Sequence, residues 1–182
     1  MKHFFSLLLA LSILSCDGPI ARKPVKVTSG SYIKESVARN KKLLAEENKQ
    51  IQSIIDKDST NIYRITANGA WYFYTTQNRD TLAVYPRTDD LVTLTYNIVS
   101  FTNDTIYSSK EIDTLTYKVD KTKLFPGLRN SIKLLKENET ATFLFPSSLG
   151  FGYHGDENRI GPNTPIKLTI TILKIEQQKD SI

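Results

Sequence analysis

Two segments of this chain alternate apolar and polar residues without a break, and that alternation limits the fold more than any other feature. In LVTLTYNIV (91–99), Val92, Leu94, Tyr96 and Ile98 fall on one face and Thr93, Thr95 and Asn97 on the other. In IKLTITILKI (166–175), Ile166, Leu168, Ile170 and Ile172 face one way and Lys167, Thr169 and Thr171 the other. A period of two is that of a β-strand with a single buried face. The two segments therefore predict an antiparallel sheet with one dry and one wet side. Further strands are expected over 115–119 and 141–145. Residues 63–76 read either as two short strands around an Asn68-Gly69 turn or as one strand with a bulge.

Two segments break this period. From Ser31 to Lys57, Ile33, Val37, Leu44, Ile51 and Ile54 or Ile55 recur at helical spacing, with Lys, Glu, Asn and Gln filling the other faces. One helix cannot bury its own stripe, so it packs on the following domain, on a second copy or on a partner. In FPGLRNSIKLLKENE (125–139), Pro126 suits a first helical turn, and Leu128, Ile132 and Leu135 fall at i, i+4 and i+7. The dry face of the sheet is the natural cover for that stripe. The expected architecture is α+β: a bent antiparallel sheet wrapped around a short helix, with an amphipathic helix ahead of it.

The first residues, MKHFFSLLLALSILSC, combine Lys2, an apolar run from Phe4 to Leu14 and a small residue before the only cysteine. This is the pattern of an export signal, and the run is shorter than the roughly 20 residues that span a bilayer. Ile13-Leu14-Ser15-Cys16 resembles a bacterial lipobox, which predicts removal of residues 1–15 and acylation of Cys16. An ordinary secretory signal is the other reading. Residues 16–30 carry two prolines and two glycines and are expected to form a tether, 31–60 the helix, and 61–182 the domain proper.

The same composition excludes several chemistries. Acylated Cys16 leaves no thiol for a disulfide or a nucleophile, and His154 is the only histidine once the signal is gone. A metal cluster or a Ser-His-Asp arrangement would have to be built around that single imidazole. The net charge of +5 is spread among acids, with one dense cluster, ARKPVK, beside the anchor. That distribution suits a linker near anionic headgroups, and no nucleic-acid surface is expected.

GFGYHG (150–155) fits the G-x-G-x-x-G fingerprint of dinucleotide-binding proteins letter for letter. The fingerprint works only where a strand runs into the glycines and a helix leaves them. Here PSSL separates the expected strand from the glycines, and DENRIGPNTP, with Pro162 and Pro165, follows them. No nucleotide or other cofactor is implied.

Residues from about Asp90 to Glu176 resemble the FK506-binding (FKBP) family of peptidyl-prolyl cis-trans isomerases. The resemblance rests on Tyr96 in the first long strand and on Ile106-Tyr107-Ser108-Ser109, where the family has Phe-Asp-Ser-Ser. LFPGLRNSIKLL stands where the family has Val-Ile-x-Gly-Trp and its central helix, and PSSLGFGYHGDENRIGPNTPIKLTITILKI stands for its closing loop and last strand. Lipobox, GPIARKPVKVTSGSYIKESVARNKKLL and isomerase domain together resemble the FKBP-type lipoproteins associated with gliding motility in Bacteroidetes. The setting so implied is a lipid-anchored protein of the cell envelope, facing the periplasm, with the outer membrane favoured. Its partners would be proline-containing segments of exported proteins, and contact with a second copy or another partner through the 31–57 helix.

The resemblance implies a site with apolar walls. Tyr96 matches the wall tyrosine, Ile106 and Leu115 stand at phenylalanine positions, and Leu124 and Phe125 stand for a Val-Ile pair whose second backbone N–H grips the ligand. Leu128 takes the pocket-floor tryptophan position, Phe151 a loop tyrosine, Ile160 a loop isoleucine and Leu168 a last-strand phenylalanine. Gly152 and Tyr153 belong to the overhanging loop and are expected to contact substrate. Tyr107 replaces the family's aspartate, and Phe151 lacks the hydroxyl that would bond a substrate carbonyl. Weak isomerase activity with retained binding of proline segments is the implied outcome, and Tyr107 either supplies a compensating hydroxyl or caps the rim.

Overall fold

The computed structural model describes residues 30–178; the expected export signal, Cys16 and all but Gly30 of the expected tether lie outside them. A helix, α1, runs from Gly30 to Lys57. It ends where Asp58 gathers donors: its carboxylate accepts from the Thr60 N–H at 3.0 Å, Asn61 Nδ2 at 2.8 Å and the Tyr63 hydroxyl at 2.9 Å. Those bonds, the one from Asn61 foremost, hold its pKa below the usual carboxylate range.

The strands follow as β1 (Arg64–Ile65), β2 (Trp71–Thr76), β3 (Leu91–Val99), β4 (Thr105–Tyr107), β5 (Leu115–Lys118), β6 (Thr140–Phe145) and β7 (Ile166–Glu176). A one-turn helix, α2 (Ser109–Ile112), sits between β4 and β5, and α3 (Pro126–Ile132) between β5 and β6. β1 and β2 are two strands around a turn, the first of the two readings of 63–76, closed by a Gly69 N–H to Thr66 carbonyl bond of 3.0 Å. All pairs are antiparallel in the order β1-β2-β6-β7-β3-β4, with β5 on the same edge of β3 as β4.

The alternation in β3 and β7 is realised as expected. Val92, Leu94, Ile98, Ile166, Leu168, Ile170 and Ile172 are buried in one core with Leu128, Ile132 and Leu135 from α3 and the turn after it. α3 lies close on the sheet because Gly127 has no side chain: a Cβ there would stand 2.7 Å from the Leu149 carbonyl and 3.1 Å from the Phe145 ring. On the other face, threonines pair across strands, Thr140 with Thr171 at 3.0 Å and Thr142 with Thr169 at 2.9 Å.

That second face is only partly wet. From Val37 onward α1 packs on its own domain: Ile51 is fully buried, and Glu47 Oε2 accepts the Ser147 N–H at 3.1 Å. Ser53, Ile54 and Lys57 share a hollow with Phe101, Asn103 and Lys167. Two further elements were not anticipated, β4 and α2. α2 is set by a reciprocal cap, with the Ser108 side chain accepting the Glu111 N–H and Glu111 accepting the Ser108 N–H at 2.9 Å. The Ser-x-x-Glu spacing of such a cap is legible in the sequence.

Candidate functional site

The loop from Pro146 to Pro165 closes over one end of the sheet, and the apolar candidates converge beneath it. Leu128, Ile160 and Leu168 are fully or almost fully buried and form the floor. Tyr96, Ile106, Tyr107, Leu124, Phe125 and Phe151 are half-buried and packed against the same core. Leu115, on β5 opposite Leu94, is also half-buried. A run of rings connects floor to rim: Tyr72 to Phe143 at 5.1 Å, Phe143 to Phe145 at 5.7 Å, Phe145 to Phe125 at 6.4 Å and Phe125 to Phe151 at 4.9 Å. Half-exposed rings and branched side chains over a dry floor give this end of the sheet an apolar accessible surface.

Phe125 occupies a defined backbone position. It is the N-cap of α3, in extended conformation (φ −64°, ψ 151°), and Pro126 follows at the first helical position. Its carbonyl accepts the Arg129 N–H at 3.1 Å. Its own N–H precedes the helical ladder, so the helix makes no claim on it. Burial, and then the neighbouring Tyr117 hydroxyl with which it pairs, raises the Tyr96 pKa above the ordinary tyrosine value. Tyr96 is therefore a neutral wall residue at physiological pH.

Tyr107 is engaged with the loop across from it. Its hydroxyl donates to Asp156 Oδ2 and accepts from Asn158 Nδ2 at 3.0 Å, which ties β4 to the overhanging loop. Asp156 Oδ1 also accepts the Ile160 N–H at 2.7 Å. Burial pushes the Asp156 carboxyl up, but the bonds from Tyr107, Ile160 and Asn158 outweigh it and leave the group below its ordinary value. Arg159 completes the latch: Nη1 donates to the Ile106 carbonyl at 2.8 Å and to Glu111 Oε1 at 2.9 Å, and the guanidinium lies 4.8 Å from the Tyr107 ring centre. The Ser108 backbone N–H, with Arg159, brings the Glu111 pKa down to about 2. Asp156, Asn158, Arg159 and Glu111 were not among the sequence candidates. A charged residue in a glycine-rich loop reads as solvated until its partner across the cleft is known.

Gly152 and Tyr153, expected among the substrate contacts, line a different recess. The positive φ of Gly152 (62°) turns the chain after Phe151, and Tyr153 is left 73% exposed. Together with Asn40, Leu43, Leu44 and Glu47 of α1 these two residues border a hollow of about 160 Å³. Gly155 serves the loop itself: its φ is 72°, and a Cβ there would meet the Ile160 carbonyl oxygen at 2.1 Å. The glycines of 150–155 thus satisfy backbone geometry, and the segment after them is turn, not helix.

Comparison with known proteins bears on the family and the fold. Residues 83–173, half of the chain, match the profile of the family described as FKBP-type peptidyl-prolyl cis-trans isomerase. A probable FKBP-type peptidyl-prolyl cis-trans isomerase FkpA of Neisseria meningitidis serogroup B (strain ATCC BAA-335 / MC58) is 30% identical over 112 residues. That match takes in 62% of this chain and 40% of the relative's length. Among solved structures, FkpA from Escherichia coli superposes with a TM-score of 0.59 at 15% identity, covering 96% of this chain and 81% of that one. A peptidyl-prolyl cis-trans isomerase from Pseudomonas syringae pv. tomato superposes with a TM-score of 0.59 at 16% identity, covering 75% and 96% respectively. At such identities the two structural likenesses speak for the fold alone.

Proposed function

The chain belongs to the FKBP-type peptidyl-prolyl cis-trans isomerases, and on that premise we propose that its cleft speeds rotation about X–Pro bonds in exported proteins. The single observation that carries the reading is the convergence of half-buried Tyr96, Ile106, Leu124, Phe125 and Phe151 over buried Leu128, Ile160 and Leu168. The barrier to be lowered, roughly 18–20 kcal/mol, comes from amide conjugation. Water stabilises the planar, charge-separated amide, and an apolar cleft withholds it. The twisted amide, with less charge separation, loses less on entering, so the cleft favours the transition state over the ground state. The N–H of Phe125 is placed to hold a neighbouring carbonyl during the rotation. No proton needs to move, which agrees with a wall of aliphatic and aromatic side chains.

The loop latch stands where the family aspartate would be, and Phe151 offers no hydroxyl to substrate. We therefore expect modest turnover. The test is refolding of a protein limited by proline isomerisation, at micromolar enzyme: acceleration by the wild type and none by Phe125→Asp supports the proposal. An equal effect of the two proteins refutes it.

The proposed setting is the cell envelope, with Cys16 lipidated and the domain facing the periplasm, the outer membrane being favoured. Gliding-motility and secretion proteins are the proposed clients. Support comes from the lipobox-like Ile13-Leu14-Ser15-Cys16 and the N-terminal string after it. Palmitate labelling of wild type and Cys16→Ser tests the anchor. A second reading, a chaperone or assembly subunit that holds partners without turnover, is favoured by α1, where Tyr32, Ile33, Val37 and Leu44 are exposed. A second copy or a client segment would cover that face. Cells that glide and secrete normally with Phe125→Asp, but fail when the exposed apolar residues of α1 are made polar, would decide for it.

A further inference from the structure

Glu47 is the one buried carboxylate in the described residues with an oxygen left over. It is 3% exposed; Oε2 accepts the Ser147 N–H at 3.1 Å, and Oε1 is enclosed with no hydrogen-bond partner. The side chain forms part of the wall of the 160 Å³ hollow between α1 and the overhanging loop, and it is the only charged residue among those lining it. A buried acceptor without a donor is rare in folded proteins and asks for an explanation. The prolyl cleft does not supply one, because the hollow lies on the other side of the loop, with Tyr153 rather than Phe151.

We propose that this hollow receives a lysine side chain from a segment bound in the cleft. Three observations select that ligand. The volume suits one long side chain, well below the roughly 300–1,000 Å³ of sites that bury a whole small molecule. Leu43, Leu44 and the Tyr153 ring provide an apolar lining for an aliphatic stem, and an aromatic face favours a cation nearby. One carboxylate oxygen is already taken by Ser147, so the planar fork of an arginine finds no bidentate partner, whereas an ammonium needs only one acceptor, and because Oε1 has almost no accessible surface the carboxyl turns toward the hollow to meet it. Phe151 in the cleft and Tyr153 at the hollow are two residues apart. The backbone between them therefore spans at most about 7 Å, so the positions to test in a client that crosses the loop here with its proline in the cleft are those two to four residues away.

The inference rests on the prolyl reading only for where the proline sits, so binding and turnover are measured separately. Peptides with one proline and either lysine or norleucine two, three or four residues to each side are titrated calorimetrically into the full-length protein, and their isomerisation is followed in parallel. A lysine peptide is expected to bind at least about fivefold more tightly than its norleucine twin at one of these positions. Glu47→Gln, which retains an oxygen for Ser147, brings the two together. Leu44→Lys, at an exposed position on the rim, does the same without touching the buried carboxylate. Glu46→Gln, an exposed charge on the same helix, keeps the preference. Equal affinities at every position, or a preference that survives both Glu47→Gln and Leu44→Lys, overturns the assignment. A lysine preference in titration without turnover of any peptide leaves it standing and removes the isomerase reading instead.

Discussion

Replacing Gly155 by alanine tests the account of the overhanging loop most directly. The residue sits at φ 72°, where an L side chain costs roughly 1–2 kcal/mol. A Cβ there also falls 2.1 Å from the Ile160 carbonyl oxygen and 2.9 Å from the Gly161 carbonyl carbon, both backbone atoms that cannot rotate away. Moving them displaces Ile160 from the cleft floor and breaks the Asp156 N–H to Ile160 carbonyl bond of 3.0 Å. Overpacking of this kind costs about 1–3 kcal/mol. If the loop holds its place the total is about 2–5 kcal/mol, or about 5–15 °C in Tm for a domain of this size. If the loop swings out instead, the sheet keeps its stability and the cleft loses its roof. Thermal denaturation and proline-limited refolding, run together, cover both routes, since either stability or acceleration must fall. A variant within about 2 °C of wild type that accelerates refolding equally well would refute the geometry.

Four other outcomes are expected. Leu128→Ala empties a fully buried position in the cleft floor and should cost about 2–5 kcal/mol in urea denaturation; a loss under 1 kcal/mol would mean that Leu128 is not where the core puts it. Phe125→Asp should leave far-UV circular dichroism unchanged, the ring being half-exposed, while acceleration of refolding falls to background. Tyr107→Asp restores the residue type that the family has at this place, yet it sets a carboxylate against Asp156, so it should weaken catalysis more than Tyr107→Phe does; a gain over wild type contradicts the latch. The Glu111 carboxyl, whose ordinary value is 4.5, is held at about 2, so its contribution is fully present above pH 4.5 and disappears as pH falls toward 2. Amide exchange in residues 156–160 should accelerate over that window, and Glu111→Gln should remove the part of the change that is due to this group.

Much of this was legible without coordinates because periodicity is local. The alternation in 91–99 and 166–175 fixed which residues point inward, and the structure buries those side chains except Tyr96, which is half-buried against the same core. The glycines of 150–155 could be separated from a phosphate loop because the prolines after them forbid a helix. Among the apolar candidates only Tyr96, Leu128 and Leu168 lie on the dry side of an element with a legible period; Ile106, Leu124, Phe125, Phe151 and Ile160 lie in loops, at a helix cap or in a three-residue strand, and were named from the family resemblance alone. The latch was not legible. Tyr107 and Asp156 are 49 residues apart, and Glu111 and Arg159 are 48 apart. No spacing rule joins residues that meet only because the loop after β6 folds back over β4. The same applies to Glu47, which meets Ser147 across 100 residues, and to Tyr153, whose direction depends on one positive φ before it.

The order of apolar and polar residues, by itself, determined an α+β chain with a one-sided sheet and a short covering helix, because burial follows from a period that is written in the sequence. Tertiary structure decided which charged groups face each other, that α1 shields part of the supposedly wet face, and that Gly152 and Tyr153 serve a second recess. Those are matters of distance between remote segments, and a hydrogen bond between side chains tens of residues apart has no trace in residue order.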